Sequence, residues 1–170
     1  MAKAKAKAAT RAKTAARKTA TRKPVRRKIA ARPSARPKAR TKARPRQNFS
    51  VSHLQDSDFQ VGLRAYAKYR DLGIADATHG MVRAHVIRFV PPCRPKEVSK
   101  LHYHDVDFQM VYVLKGWIKT ELEGQGAIVM NAGSCWIQPP RIKHVVLDYS
   151  DDCEVLEIIL PADFETVELT

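Results

Sequence analysis

The first 47 residues lack acidic and aromatic side chains altogether. They contain 19 Lys and Arg residues, and their only large aliphatic side chains besides Met1 are Val25 and Ile29. A segment of this composition cannot bury enough apolar surface to offset the conformational entropy that folding removes. We therefore predict that residues 1–47 form a disordered tail rich in Lys, Arg, Ala and Pro.

The tail is also a dense polycation, because no acidic residue balances its charge. Like charges repel in the free chain, and phosphate groups would relieve this repulsion while counterions are released. The composition resembles linker-histone tails and the basic tails of some bacterial nucleoid proteins, which implies non-specific nucleic-acid binding through residues 1–47. A transit peptide, a purely solvated tail and a tail that binds other acidic surfaces are the alternatives.

Cysteines and long apolar runs are both scarce. The three cysteines, Cys93, Cys135 and Cys153, form no Cys-x-x-Cys pair, so we expect no disulfide framework and a reducing, intracellular setting. No apolar run approaches the ~18 residues of a membrane span. We expect no membrane partner and a cytoplasmic location, on the nucleoid if the tail binds DNA.

Residues 48–170 differ from the tail in charge and in texture. They hold 12 basic and 17 acidic residues, and their length suits one ordinary domain with a real core. We divide them into an N-terminal arm over residues 48–81, a barrel over 82–160 and a C-terminal extension over 161–170.

The arm shows one helical pattern. Apolar residues at positions 59, 63, 66, 69 and 72 recur at helical spacing, which predicts a short amphipathic helix over Phe59–Leu72. Asp58 is a plausible N-cap, and Gly73 stands just past the end.

Beyond residue 81 the sequence pattern is typical of short strands. Gly, Pro and Asp/Ser turns separate segments rich in β-branched and aromatic residues, which is typical of an all-β sandwich or barrel. The predicted strands are Val82–Val90, Gln109–Lys115, Trp117–Glu123, Ala127–Asn131, Ser134–Gln138, Val145–Tyr149 and Cys153–Leu160.

Two histidines, His102 and His104, stand one residue apart in a stretch that reads as strand. Residues two apart on a strand face the same side, so both imidazoles project together, as two ligands of one metal ion need. The pair alone is weak evidence, and the spacing of the residues that follow adds weight to it. Those residues are Gln109, Gly116, Gly133, Pro139 and His144.

This spacing resembles the two motifs of the cupin superfamily, G-x5-H-x-H-x4-E-x6-G and G-x5-P-x-G-x2-H-x3-N. The match covers residues 96–116 and 133–148, and 16 residues separate the two parts. The chain is similar to a small single-domain cupin with a histone-tail-like basic extension. The resemblance implies an all-β jelly-roll barrel around one divalent metal ion. The ligands it implies are His102, His104, Gln109 and His144.

Gln109 is the departure from the motif that changes the chemistry of the site, because the motif has glutamate at this position. An amide oxygen can ligate a metal, but it adds no negative charge and cannot act as a general base in the way a carboxylate can. The set of three histidines and one glutamine is similar to that of polyketide cyclases of the cupin class. The alternative is a barrel without metal, with Gln109 as a satisfied core amide. Ligand type does not choose among Zn, Ni, Fe and Mn.

Two classes of function follow from this reading. In the first, the metal polarises a carbonyl or enolate oxygen of a small organic molecule, which is Lewis-acid chemistry of the cyclase, isomerase or dioxygenase type. In the second, a non-catalytic cupin senses a ligand or only dimerises, and the tail holds it on nucleic acid. The sequence assigns no catalytic residue and does not decide whether the protein is an enzyme. We expect a homodimer.

Overall fold

Short strands follow one another along most of the described chain. The computed structural model describes residues 45–62 and 64–169, so most of the predicted tail lies outside the described residues. The strands are β1 Gln60–Val61, β2 Ala67–Asp71, β3 Arg83–Phe89, β4 His102–Asp105, β5 Phe108–Lys115, β6 Trp117–Leu122, β7 Gly126–Asn131, β8 Cys135–Ile137, β9 His144–Tyr149, β10 Glu154–Leu160 and β11 Glu165–Glu168. The helical elements are a 3-10 turn at Asp56–Asp58 and the helices α1 Ile74–Ala77 and α2 Pro95–Val98. No helix within these ranges has the length and apolar character needed to cross a membrane.

The strands form two antiparallel sheets. One sheet has six strands in the order β1-β2-β3-β10-β5-β8, and the other has five in the order β11-β4-β9-β6-β7. Most neighbours within a sheet are distant along the chain, which is the connectivity of a jelly roll. The predicted all-β jelly roll is confirmed. The seven predicted strands are all present, with ends within one residue of the predicted ones.

The helix predicted over Phe59–Leu72 is wrong. This segment contains β1 and β2, and β2 pairs with β3 along its full length. The edge of β3 offers a row of backbone partners, which a short isolated helix would not gain. Gly62 lowers helix propensity, and the ring of Tyr69 lies where a side chain at position 62 would stand. Gly73, with φ of 73°, begins α1 instead of ending a helix.

Both flanking segments contribute strands to the sheets. The arm supplies β1 and β2 to the six-stranded sheet, while β11, from the predicted C-terminal extension, pairs with β4. β11 therefore lies beside the strand that carries His102 and His104.

The apolar core lies between the two sheets. Its buried members are Phe89, Val98, Val111, Val113, Ile118, Leu122, Met130, Tyr149, Cys153 and Val155. The rings of Phe89 and Tyr149 are 4.6 Å apart, and the Tyr149 hydroxyl donates to the Val90 carbonyl at 2.9 Å. Part of this core also lines a cavity of about 870 Å³.

A single glycine joins β5 to β6. Gly116 has φ of 66°, in the left-handed region that favours glycine. A Cβ at this position would meet the side chains of Ser150 and Asp152 and would lie 3.1 Å from the Cα of Cys153. The turn that brings β6 back therefore requires the motif glycine.

Candidate metal centre

Three of the four predicted ligands meet in the cavity. β4 carries His102 and His104, and β9 begins at His144, which lies opposite His102 in the sheet. The ring centroids of His102 and His144 are 4.3 Å apart, and that of His104 is 5.1 Å from each. One nitrogen from each ring lies within 4.8 Å of the other two. Two donors about 2.1 Å from one ion are at most about 4.2 Å apart, so the cluster has nearly the spacing of a ligand set.

Backbone carbonyls orient two of these rings. Nδ1 of His102 donates to the Lys100 carbonyl at 2.7 Å, and Nδ1 of His144 donates to the Ile142 carbonyl at 2.9 Å. A carbonyl only accepts, so Nδ1 carries the proton and Nε2 keeps its lone pair. This is the tautomer that binds a metal through Nε2.

The C-terminal strand orients the third ring. Nδ1 of His104 lies 2.9 Å from Oγ1 of Thr166, which is its cross-strand partner on β11. The ring also packs edge-on against Phe164, with centroids 5.4 Å apart. Thr166 was not predicted from the sequence, because the segment Glu165–Glu168 is too short and too polar to indicate a strand.

Burial keeps the three imidazoles neutral. Desolvation, followed by the effect of neighbouring His144, lowers the pKa of His102 from 6.5 to about 4. Burial likewise lowers the pKa of His104 to about 4 and lowers the pKa of His144. At neutral pH the cluster therefore offers three uncharged nitrogen donors.

Gln138 borders His144 in the cavity. Its amide nitrogen lies 3.2 Å from Nε2 of His144, and its amide oxygen accepts from Nε1 of Trp136 at 3.2 Å. The indole N–H only donates, so it fixes the oxygen of Gln138 on its own side and the NH₂ group on the side of His144. No role for Gln138 was predicted from the sequence.

Gln109, the fourth predicted ligand, lies in the opposite sheet from the three histidines. It is 1% exposed, and its Nε2 donates to Oε1 of Glu157 at 2.5 Å. The amide nitrogen is thus engaged by another side chain. Ligation of a metal by the amide oxygen stays a prediction.

Glu157 on β10 is a second residue that the sequence analysis missed. Its Oε2 lies 2.6 Å from Nε2 of His85, and its Oε1 accepts from Gln109. Burial alone would raise the pKa of the Glu157 carboxyl, but the hydrogen bonds and charge interactions with His85, His104 and Gln109 outweigh it and lower this pKa. The carboxylate lines the same cavity as the histidines.

The loop before His144 is tied to β4 by Arg141, which stands where the second motif has glycine. Arg141 adopts the left-handed φ of 62°, which costs a non-glycine residue roughly 1 kcal/mol. Its N–H donates to the His104 carbonyl at 3.1 Å, and its guanidinium lies 5.0 Å from the Tyr103 ring centroid and pairs with Asp105 at 3.7 Å. These contacts connect the two histidine-bearing segments.

A two-sheet jelly roll with a histidine cluster between its sheets is the architecture of a cupin. Residues 93–159 match the family model described as "Cupin domain". The family model thus assigns residues 93–159 to a cupin domain. A search of the curated proteins finds no match to the chain.

Solved structures with the same fold are distant in sequence. KdgF from Halomonas sp. is 20% identical with a TM-score of 0.51, and the match covers 65% of this chain and 94% of KdgF. The polyketide cyclase RemF from Streptomyces resistomycificus is 15% identical with a TM-score of 0.55, covering 71% of this chain and 86% of RemF. The oxalate decarboxylase from Lactobacillus farciminis is 16% identical with a TM-score of 0.52, covering 66% of this chain and 34% of that enzyme. At these identities the likeness shows the fold alone.

Proposed function

We propose that this protein is a metal-binding cupin that holds one divalent first-row ion on His102, His104 and His144 and acts on, or binds, a small organic molecule. The observation that carries this proposal is the cluster of three neutral imidazoles, whose nitrogens lie within 4.8 Å of one another. A hydrogen bond through Nδ1 orients each ring. Gln109 stays a predicted fourth donor through its amide oxygen.

The chemistry that suits this site is Lewis-acid chemistry, in which the bound ion polarises a carbonyl or enolate oxygen of the ligand. The chain's own residues position the reactants. The NH₂ group of Gln138, oriented by Trp136, is a donor for an oxygen atom held beside His144. Val111 and Val155 give the cavity wall apolar surface.

The cavity suits a small, partly polar ligand. Its volume of about 870 Å³ lies in the range of small-molecule sites, roughly 300–1,000 Å³. Arg64 lines it with a side chain that is 10% exposed and pairs with Glu168 at 2.9 Å. RemF is a cyclase and the Lactobacillus farciminis enzyme a decarboxylase, and this supports small-molecule chemistry only by analogy of fold.

Metal titration tests this proposal. Full-length protein without a histidine tag is stripped of metal and titrated with Zn, Ni, Fe(II) and Mn by calorimetry. We expect about one ion per chain and loss of binding in His104→Ala with the fold retained by circular dichroism. His53→Ala, which removes an exposed histidine, is the matched control and should bind like the wild type. Failure of all four metals to bind stoichiometrically would refute the proposal, as would equal losses in the two variants.

A second candidate function rests on the charge of the tail. Residues 1–47 carry 19 basic residues and no acidic ones, whereas residues 48–170 carry more acidic than basic residues. In this candidate, a ligand-sensing or merely dimerising cupin is held on nucleic acid by the tail.

A further inference from the structure

Three polar residues form a row across the six-stranded sheet. His85 on β3 lies directly opposite Glu157 on β10, and Gln109 on β5 pairs with Ile159, two residues along β10 from Glu157. His85 is 8% exposed and Gln109 is 1% exposed. The three side chains join strands that are far apart in the sequence, and Glu157, in the middle of the row, lines the cavity.

The hydrogen bonds of this row leave Glu157 with free lone pairs. A carboxylate only accepts, so Gln109 and His85 both donate, one to each oxygen. Each oxygen uses one lone pair in these bonds and keeps another. Glu157 and His85 line the cavity that contains the three histidines. The carboxylate is thus held by two hydrogen bonds, lines the cavity and keeps acceptor capacity on both oxygens.

The row also explains the amide at position 109. A carboxylate there would stand against the Glu157 carboxylate, in the place where the amide nitrogen now donates at 2.5 Å. Two buried like charges in contact repel strongly, and one of them would have to take up a proton. The glutamate of the motif and the carboxylate on β10 are therefore alternatives to each other.

We propose that Glu157 is the anionic group of the metal centre and supplies from β10 the negative charge that the cupin motif supplies from position 109. This inference rests on the proposed metal centre. Three imidazoles leave the full charge of a divalent ion uncompensated, and a carboxylate fixed on the same cavity wall would compensate part of it. In this inference Gln109 is a positioning residue, which orients Glu157 through its amide nitrogen, and Glu157 takes over the role of the fourth ligand predicted at position 109.

Two variants test the position of the charge. Glu157→Gln removes the charge but puts an NH₂ group in place of one carboxylate oxygen, so that either His85 or Gln109 must change tautomer or turn to keep its hydrogen bond. The exchange of Gln109→Glu together with Glu157→Gln removes this conflict, since an amide oxygen remains for His85 and an amide N–H remains for the carboxylate. The exchange keeps one carboxylate in the row but moves it from the cavity wall to a position that is 1% exposed.

The measurement is the zinc affinity of full-length protein by competition with a chelating dye, with thermal unfolding as the check on folding. We expect Glu157→Gln and the exchange variant each to bind zinc about tenfold or more weakly than the wild type. Glu121→Gln, which removes an exposed carboxylate on β6, should bind normally. Because the exchange preserves both hydrogen bonds, it decides the matter if Glu157→Gln does not fold.

Wild-type zinc affinity in Glu157→Gln would overturn the inference, and so would recovery of wild-type affinity in the exchange variant. Either result leaves the three-histidine centre intact. Failure of the centre itself has a different signature, because the wild type would then bind no zinc or would keep its affinity in His104→Ala.

Discussion

Burial of the histidines links the stability of the metal-free protein to pH. Desolvation lowers the pKa of His102 and of His104 to about 4, whereas both regain their ordinary value of 6.5 when the chain unfolds. Between these values the unfolded state binds more protons. The contribution of these histidines to the free energy of unfolding is therefore complete above pH 6.5. It decreases as the pH falls from 6.5 towards the folded-state pKa of about 4.

Urea unfolding of metal-free, full-length protein between about pH 7.5 and pH 5 measures this effect. Within the window each group loses roughly 1.4 kcal/mol of its contribution for each unit by which the pH falls. His102→Gln removes one titrating ring and should flatten the dependence, whereas His53→Ala should leave it as in the wild type. An identical pH dependence in His102→Gln and in the wild type would contradict the assignment of the lowered pKa to buried His102.

At the residue scale, the sequence predicts what depends on spacing along one strand. His102 and His104 share a face because the side-chain period of a strand is two, and His144 follows from the motif. Glu157 could not be predicted in this way. It reaches the cavity because β10 lies between β3 and β5, and strand order is not encoded in any local pattern.

At the scale of elements, β11 completes the centre from outside the motif. Its Thr166 hydroxyl lies 2.9 Å from Nδ1 of His104. Partners of this kind fix the orientation of a metal-binding imidazole, and their loss costs about 10- to 100-fold in metal affinity. We expect Thr166→Val to weaken zinc binding by about tenfold.

Thr166→Ser is the matched control, because it keeps a hydroxyl at the same position. It should retain affinity close to that of the wild type when both are measured by dye competition at neutral pH. If Thr166→Val binds zinc as tightly as Thr166→Ser, the strand supports the fold and does not orient His104.

The elements also show where pattern reasoning fails. The spacing of apolar residues over Phe59–Leu72 fits a helix, yet the open edge of β3 takes up β2 as a strand. Pairing with a preformed edge outweighs weak local propensity. The central strands were predictable because turns such as the one at Gly116 delimit them clearly.

At the scale of the whole molecule, an apolar outer surface favours the expected homodimer. The residues that share the outer face of neighbouring strands β5 and β8 are Met110, Tyr112, Leu114, Cys135 and Ile137, and all but partly buried Met110 are exposed. A second copy of the chain would cover this face and would double the valency of the tail.

We expect full-length protein to be a dimer by light scattering and to bind duplex DNA without sequence preference. The logarithm of the binding constant should fall against log salt with a slope of about −0.9 per phosphate neutralised. A chain that begins at residue 45 keeps the contacts of Arg46 with His79 and of Asn48 with Ala77. It should lose DNA binding, because its acidic residues outnumber its basic ones.

Binding by the shortened chain equal to that of the full-length protein would remove the tail from this account. A full-length protein that ignores DNA at low salt would favour a targeting or purely solvated tail. A monomer in light scattering would contradict the homodimer that we expect through the apolar face of β5 and β8.

The most direct test of the central claim is X-ray absorption at the zinc edge of the protein loaded with one equivalent of metal. We predict three imidazole ligands with zinc–nitrogen distances of about 2.0–2.1 Å. His104→Ala, measured at the same loading, should lose this signature. A wild-type spectrum with fewer than three imidazoles would contradict a centre built from His102, His104 and His144.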